Sequence, residues 1–213
     1  MTTLQTKITT DNWFGGSWDE YLQTISQSEH QQAKGYYYQG KLRLEMSPLG
    51  NAHSKDHYLI SCAVGLFACL KKIPLNGHDN CTYRKAPRLE AQPDLSYYIG
   101  NNADAIPWGT TIINLDNYPA PNLVIEVGNT TLTDDLGTKR LLYEDLQVQE
   151  YWVIDVQNGQ VIAFAIVNQG SNRITQSQAL TGLNMGIITE ALQLSRKTNH
   201  TEVSNWLLQQ FQA

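Results

Sequence analysis

The sequence predicts an α/β protein with some α+β character: a mixed central sheet flanked by helices, entered by an N-terminal hairpin and closed by a C-terminal helical extension. Three observations carry this expectation. "PNLVIEV" (121–127), a helical stretch at 133–146 and "EYWVIDV" (150–156) form a strand–helix–strand passage, the arrangement that lays two strands parallel. "GYYYQGKLRLEMSP" (35–48) alternates around a Gln-Gly turn and reads as a hairpin. "NMGIITEALQLSRK" and "TEVSNWLLQQF" end the chain with helical spacing.

The remaining elements follow in order. Trp18, Tyr21, Leu22 and Ile25 give "SWDEYLQTISQ" (17–27) one apolar helical face. "GNAHSKDHYLISCAVGLFACLKK" (50–72) is the first long helix, with Leu59, Ala63, Leu66 and Leu70 along its stripe. "CTYRKAPRLEAQPDLSYYIG" (81–100) reads as two strands joined by a turn. A polar loop near 100–109 leads to a strand in "TTIINL" (110–115). "TDDLGTKRLLYEDL" (133–146) has a Thr start and acids in its first turn, the signature of a helix N-terminus. "QVIAFAIV" (160–167) and "ITQSQAL", separated by "NQGSN", make a second hairpin.

At 213 residues the chain supports one good core, so a single domain over 1–213 is expected, with its centre at about 50–167 and the helical extension at about 183–213. Twenty acidic against fifteen basic residues give a net charge of −5, which excludes a protein that coats nucleic acid through a general basic excess. An enzyme meeting DNA through a local patch remains compatible. Cys62, Cys69 and Cys81 are odd in number and form no CxxC pair, so they read as buried free thiols. "LISCAVGLFACL" (59–70) is too short to span a membrane, and the N-terminal residues lack a signal peptide. The expectation is a reduced, cytoplasmic protein with no membrane association.

One residue breaks the hydrophobic pattern. Glu126 lies between Ile125 and Val127 inside an apolar strand. Desolvating an unpaired carboxylate costs several kcal/mol, so such a group is paired, hydrated or holding a cation. By strand parity Val124, Glu126 and Gly128 share one face, and in "PDLSYYI" Asp94, Ser96 and Tyr98 share another. Two carboxylates converging from neighbouring strands repel each other, and a hard divalent ion relieves the repulsion. Mg²⁺ suits a site with only one or two protein carboxylates, and Mn²⁺ is the expected substitute. On the helix, Leu132, Leu136, Lys139, Leu142, Tyr143 and Leu146 follow i, i+3, i+4 spacing, which sets Lys139 on or beside the apolar stripe. A helix following "LVIEV" packs back on the sheet, so this ammonium can reach the carboxylates and offset charge developing on a phosphorus centre.

"QPDLSYYI", "PAPNLVIEV" and "DLGTKRLLYEDLQVQEYWVIDV" resemble the PD-(D/E)xK restriction-endonuclease-like superfamily, and more closely the Uma-type putative restriction endonucleases. "GKLRLEMSPLGNAH" before a long helix is similar to that family's N-terminal pattern, so the resemblance covers roughly 17–190. It implies a restriction-endonuclease-like core and a Mg²⁺-dependent endonuclease acting on DNA. Asp94 and Glu126 would be the metal ligands, and Asp94, Glu126 and Lys139 the catalytic set. The superfamily's lysine belongs two residues after the glutamate, where this chain has Gly128; the Uma-type "KRxxY" pattern carries the role to Lys139.

The resemblance also brings Glu45 and His53 close to the site, with Tyr143 one helical turn beyond Lys139. Asp155 ends a strand where sites collect, although structural pairing accounts for it as well. Arg84, Lys85 and Arg88 are candidates for phosphate contacts, and a solvated hairpin face explains them equally. Cutting both strands calls for two sites, hence the expectation of a homodimer. Two other readings stand beside this one: an inactive nucleic-acid- or partner-binding domain that keeps the fold, and a thiol enzyme, for which no histidine pattern is present.

Overall fold

A computed structural model of the chain describes residues 10–46 and 50–212. Among them are β1 (Phe14–Gly15), α1 (Trp18–Ile25), β2 (Lys34–Tyr38), β3 (Lys41–Glu45), α2 (Asn51–Lys71), β4 (Leu75–Asp79), β5 (Thr82–Lys85), β6 (Leu89–Ala91), β7 (Leu95–Ile99) and β8 (Ile112–Asn114). The chain continues through β9 (Leu123–Gly128), α3 (Leu132–Asp135), α4 (Thr138–Asp145), β10 (Glu150–Asp155), β11 (Gln160–Val167), β12 (Gly170–Ile174), α5 (Met185–Ser195) and α6 (His200–Gln212).

Two six-stranded mixed sheets result, ordered β12-β11-β10-β9-β7-β4 and β1-β3-β2-β6-β5-β8. The expected parallel pair is β9 with β10, in a register that sets Glu126 beside Val153 and Gly128 beside Asp155. The first hairpin turns through Gln39 and Gly40, both at positive φ, as a two-residue hairpin turn requires. Rather than standing apart as an N-terminal appendage, it forms the middle of the second sheet by pairing with β6. Residues 47 and 48 of the expected hairpin lie outside the described residues.

Strand parity divides the core as expected. Leu123, Ile125 and Val127 point to one face of the first sheet and pack with Leu59, Ile60 and Ala63 of α2, Ile188 and Leu192 of α5, and Val203 and Leu207 of α6. Val124, Tyr151 and Val153 point to the other face, where Leu142 and Tyr143 of α4 and Tyr36 and Tyr38 of β2 cover them. Full burial of each such aliphatic side chain stabilises by about 1.5–3 kcal/mol. Glu126 shares the parity of Val124, so it faces α4 and the second sheet.

Four expectations change. The hairpin after β11 turns through Asn168 and Gln169, both at positive φ, and its second strand is β12, which begins inside "NQGSN" and takes in only the first residue of "ITQSQAL". The stretch 81–100 contains three strands, β5, β6 and β7, not two, and β4 precedes them unannounced. With the sequence "LNGHD", in which only Leu75 and His78 are partly buried, this edge strand lacks an alternating apolar signal. The helix expected over 133–146 is broken into α3 and α4 at Gly137, whose φ and ψ of −106° and −106° are not helical. A Cβ there would lie 2.8 Å from the Thr133 carbonyl oxygen, so only glycine permits the break. Of the thiols expected to be buried, Cys69 is exposed, and Cys62 and Cys81 are partly exposed. All three are free. No described helix is long and apolar enough to cross a membrane.

Candidate active site

The end of β9 meets the start of β7 antiparallel, with Leu95 opposite Ile125 and Ser96 opposite Val124. One further step in this register sets Asp94 opposite Glu126. The two carboxylates anticipated from parity are therefore cross-strand neighbours, and the Val127 N–H donates to Asp94 Oδ2 at 2.7 Å. Beside them lies a cavity of about 290 Å³, lined in part by Lys34, Glu45, His53, Asp94, Thr131 and Lys139. Glu126 sits one side chain deeper, only 1% exposed.

Each carboxylate has its own ammonium. Lys34, at the start of β2, forms an ion pair with Asp94 Oδ1. His53 of α2 brings Nε2 to 3.5 Å from Asp94 Oδ2. Burial alone would raise the Asp94 pKa, but His53 and Lys34 outweigh it and hold the carboxyl well below the usual range. Lys139 is 1% exposed, and its Nζ lies 2.8 Å from Glu45 Oε1, 2.9 Å from Asp135 Oδ1 and 3.5 Å from Glu126 Oε2. Burial works against its charge, yet Asp135, Glu126 and Glu45 raise its pKa well above the ordinary lysine value. The Tyr36 ring lies 4.4 Å beneath the same ammonium, a cation–π contact.

Glu126 Oε1 accepts a hydrogen bond from Tyr143 Oη at 2.6 Å and lies 3.2 Å from Tyr36 Oη, whose one proton is shared with the Gln92 carbonyl oxygen at 2.8 Å. Burial pushes its pKa from 4.5 up to about 8; Lys139 opposes the rise, and Asp94 and Asp135 add to it. Glu45 behaves differently. Burial would raise it, but Lys139 and Arg43 flank its carboxylate and hold it below the ordinary value.

Gly128 explains why the lysine arrives from a helix. A Cβ at this position would lie 2.6 Å from Asp135 Oδ2 and 3.2 Å from the Leu132 Cα. Asp135 thus occupies the space that a strand-borne side chain would need. Its Oδ2 accepts from Thr131 Oγ1 at 2.7 Å, while its Oδ1 faces Lys139 one turn later. The break at Gly137 falls between these two residues but preserves their i, i+4 relation.

The fold thus brings together Asp94, Glu126, Lys139, Glu45, His53 and Tyr143. Asp155 goes elsewhere: it accepts from the Asn158 backbone N–H and side chain and from Gln160, capping the turn from β10 to β11. Burial is outweighed there by these hydrogen bonds, and the Asp155 pKa is lowered. Arg84 is committed to the buried Glu90 carboxylate and lies 5.7 Å from the Trp18 ring centroid. Lys85 and Arg88 flank the β5–β6 turn, at the opposite end of β6 from Asp94. Sequence reasoning missed Lys34, Tyr36 and Asp135. Only Asp135 carried a signal, being an acid four residues before an interior lysine.

Asp94 and Glu126 are the residues that could hold a cation. Among the described residues no group of three or more His, Cys, Asp or Glu side chains is gathered as a metal site. A divalent ion would rest on two carboxylates and complete its shell with water and substrate oxygens, the habit of Mg²⁺. Burial, with Asp94 and Asp135 nearby, lifts the Glu126 pKa to about 8, and a cation placed against this carboxyl would favour its charged form.

The fold is mixed α/β, with this site at the strand ends of β7 and β9. It is similar to the crystal structure of a putative nuclease belonging to DUF820 from Anabaena variabilis, with a TM-score of 0.56 and 19% sequence identity over 90% of this chain and 99% of that one. The family is shown by sequence: residues 18–199 match Uma2, described as "Putative restriction endonuclease", and the chain belongs to that family. Comparison with curated proteins gave no match.

Proposed function

We propose that the chain is a metal-dependent endonuclease that hydrolyses phosphodiester bonds in DNA. The observation that supports this most is the cross-strand pairing of Asp94 with Glu126 beside a cavity flanked by two ammonium groups. Asp94 and Glu126 would hold Mg²⁺ or Mn²⁺. When bound, the ion supplies Lewis acidity and lowers the pKa of a coordinated water.

The chain's own residues do the remaining work. Tyr143 and Tyr36 orient Glu126 through its Oε1 and leave Oε2 toward Lys139. The Val127 N–H fixes Asp94. Lys139 gathers Glu45, Asp135 and Glu126 around one charge and contributes positive potential at the cavity wall, where a phosphate gains negative charge on attack. Two chains acting as a homodimer would deliver two such sites to the two strands of a duplex.

The test is nicking and linearisation of supercoiled plasmid in Mg²⁺, Mn²⁺ or EDTA, with Asp94→Asn and Glu126→Gln run alongside. Cleavage is expected with either metal, is expected to vanish in EDTA, and should fall to background in both variants. Wild-type cutting by either variant refutes the assignment. Metal-independent binding of DNA without cutting returns the chain to the class of binding domains.

A further inference from the structure

The two lysines at the cavity differ in one respect that bears on catalysis. Lys139 is enclosed: its ammonium faces three carboxylates and the Tyr36 ring, and its side chain is 1% exposed. Turning it toward a substrate would leave buried carboxylates without their counter-ion, which is strongly unfavourable. Among the described residues Lys34 is ion-paired with one carboxylate, Asp94 at Oδ1, and its side chain is 14% exposed at the cavity lining. The oxygen it occupies belongs to a residue that the preceding reading assigns to the metal.

We propose that Lys34 and the divalent cation compete for Asp94, and that Lys34, once displaced, is the catalytic ammonium that contacts the substrate phosphate. The inference rests on the nuclease reading above. In the absence of metal, Lys34 neutralises a buried carboxylate that would otherwise be costly to keep charged. A divalent ion held by Asp94 would repel the Lys34 ammonium and weaken its ion pair, and the flexible lysine stem would carry that charge into the cavity. Asp94 keeps its place throughout, because the Val127 N–H and His53 hold its other oxygen. Lys139 is then a positioning residue for Glu126, and the burden of meeting the phosphate falls on Lys34. No covalent step is added to the hydrolysis; the proposal concerns which charge faces the phosphate.

Two readouts on the full chain test this, each applied to wild type, Lys34→Ala, Lys34→Gln and Lys34→Arg. The first is Mn²⁺ affinity without nucleic acid, by calorimetry or the loss of the free-ion electron paramagnetic resonance signal. Removing the competing charge should tighten Mn²⁺ binding about tenfold, equivalent to about 1.4 kcal/mol. The second is plasmid cleavage at saturating Mn²⁺, where Lys34→Ala and Lys34→Gln should be slower by about 10²-fold, the loss typical of one transition-state donor, and Lys34→Arg should recover part of the rate. Lys34→Gln retains a hydrogen-bond donor for Asp94 and serves if the alanine variant fails to fold.

Mn²⁺ affinity that is unchanged or weaker in both neutral variants overturns the competition. Tighter binding with wild-type cleavage overturns the phosphate contact and leaves Lys34 as a counter-ion of the metal-free state. A wild-type chain that binds Mn²⁺ but cuts nothing refutes the nuclease reading and the phosphate contact with it, while the Mn²⁺ titration still decides the competition at Asp94.

Discussion

Replacing Glu126 by glutamine should leave the protein increasingly more stable than wild type as pH rises, even as it removes the activity. The carboxyl is pushed from 4.5 up to about 8 by burial and by Asp94 and Asp135, against the pull of Lys139. Between those two pH values the folded chain keeps a proton that the unfolded chain has released. Wild-type stability therefore falls through this window, at up to about 1.4 kcal/mol per pH unit, for an upper bound on the order of 5 kcal/mol. Glutamine has no proton to lose, and its oxygen still accepts from Tyr143 and Tyr36. Asp94, held well below its usual range, loses its stabilising contribution only on acidification below the pH range of the test. Near pH 5 Glu126→Gln should sit within about 1 kcal/mol of wild type, the scale of one altered hydrogen bond. By pH 8 to 9 it should be the more stable protein by about 2–4 kcal/mol. Urea unfolding at pH 5, 6.5, 8 and 9 measures this directly. A stability difference that stays flat with pH, or a variant that weakens as pH rises, would refute the claim that Glu126 is an over-buried acid in the metal-free fold.

Two further substitutions probe the same network from other sides. Lys139→Met leaves Glu45, Asp135 and Glu126 without their shared counter-ion and should cost about 3–5 kcal/mol near neutral pH. For a chain of this size that lowers Tm by roughly 6–20 °C; a Tm within 2 °C of wild type would show that the enclosed ammonium is dispensable. Gly128→Ala puts a Cβ 2.6 Å from Asp135 Oδ2 and should destabilise by about 1–3 kcal/mol, as overpacking does, displacing Asp135 from Lys139. Unfolding of this variant alongside Asp135→Asn and the double substitution gives the coupling directly, and additive effects would separate the glycine from the network.

Much of this protein was legible before its coordinates. Local periodicity is enough to place β9, α2 and β10, because apolar repeats report the face that each element buries. A carboxylate inside an apolar strand is a visible anomaly, and parity alone sets Glu126 and Asp94 on faces that could meet. The helix interruption was less visible: "DDLGTKR" keeps helical spacing on both sides of Gly137, so the break leaves the hydrophobic pattern intact. Lys34 lies 60 residues from Asp94, and Tyr36 lies 90 from Glu126; no local pattern links such partners. Asp155 takes the structural pairing that its place at a strand end also allowed, and Arg84 is claimed by Glu90, which the sequence does not single out as its partner. Hydrophobic pattern is a property of each element and survives in the linear chain. The pairing of charges depends on which strand ends and helix faces meet, and only the packed sheets create the low-dielectric space in which Lys34, Lys139 and their carboxylates select one another.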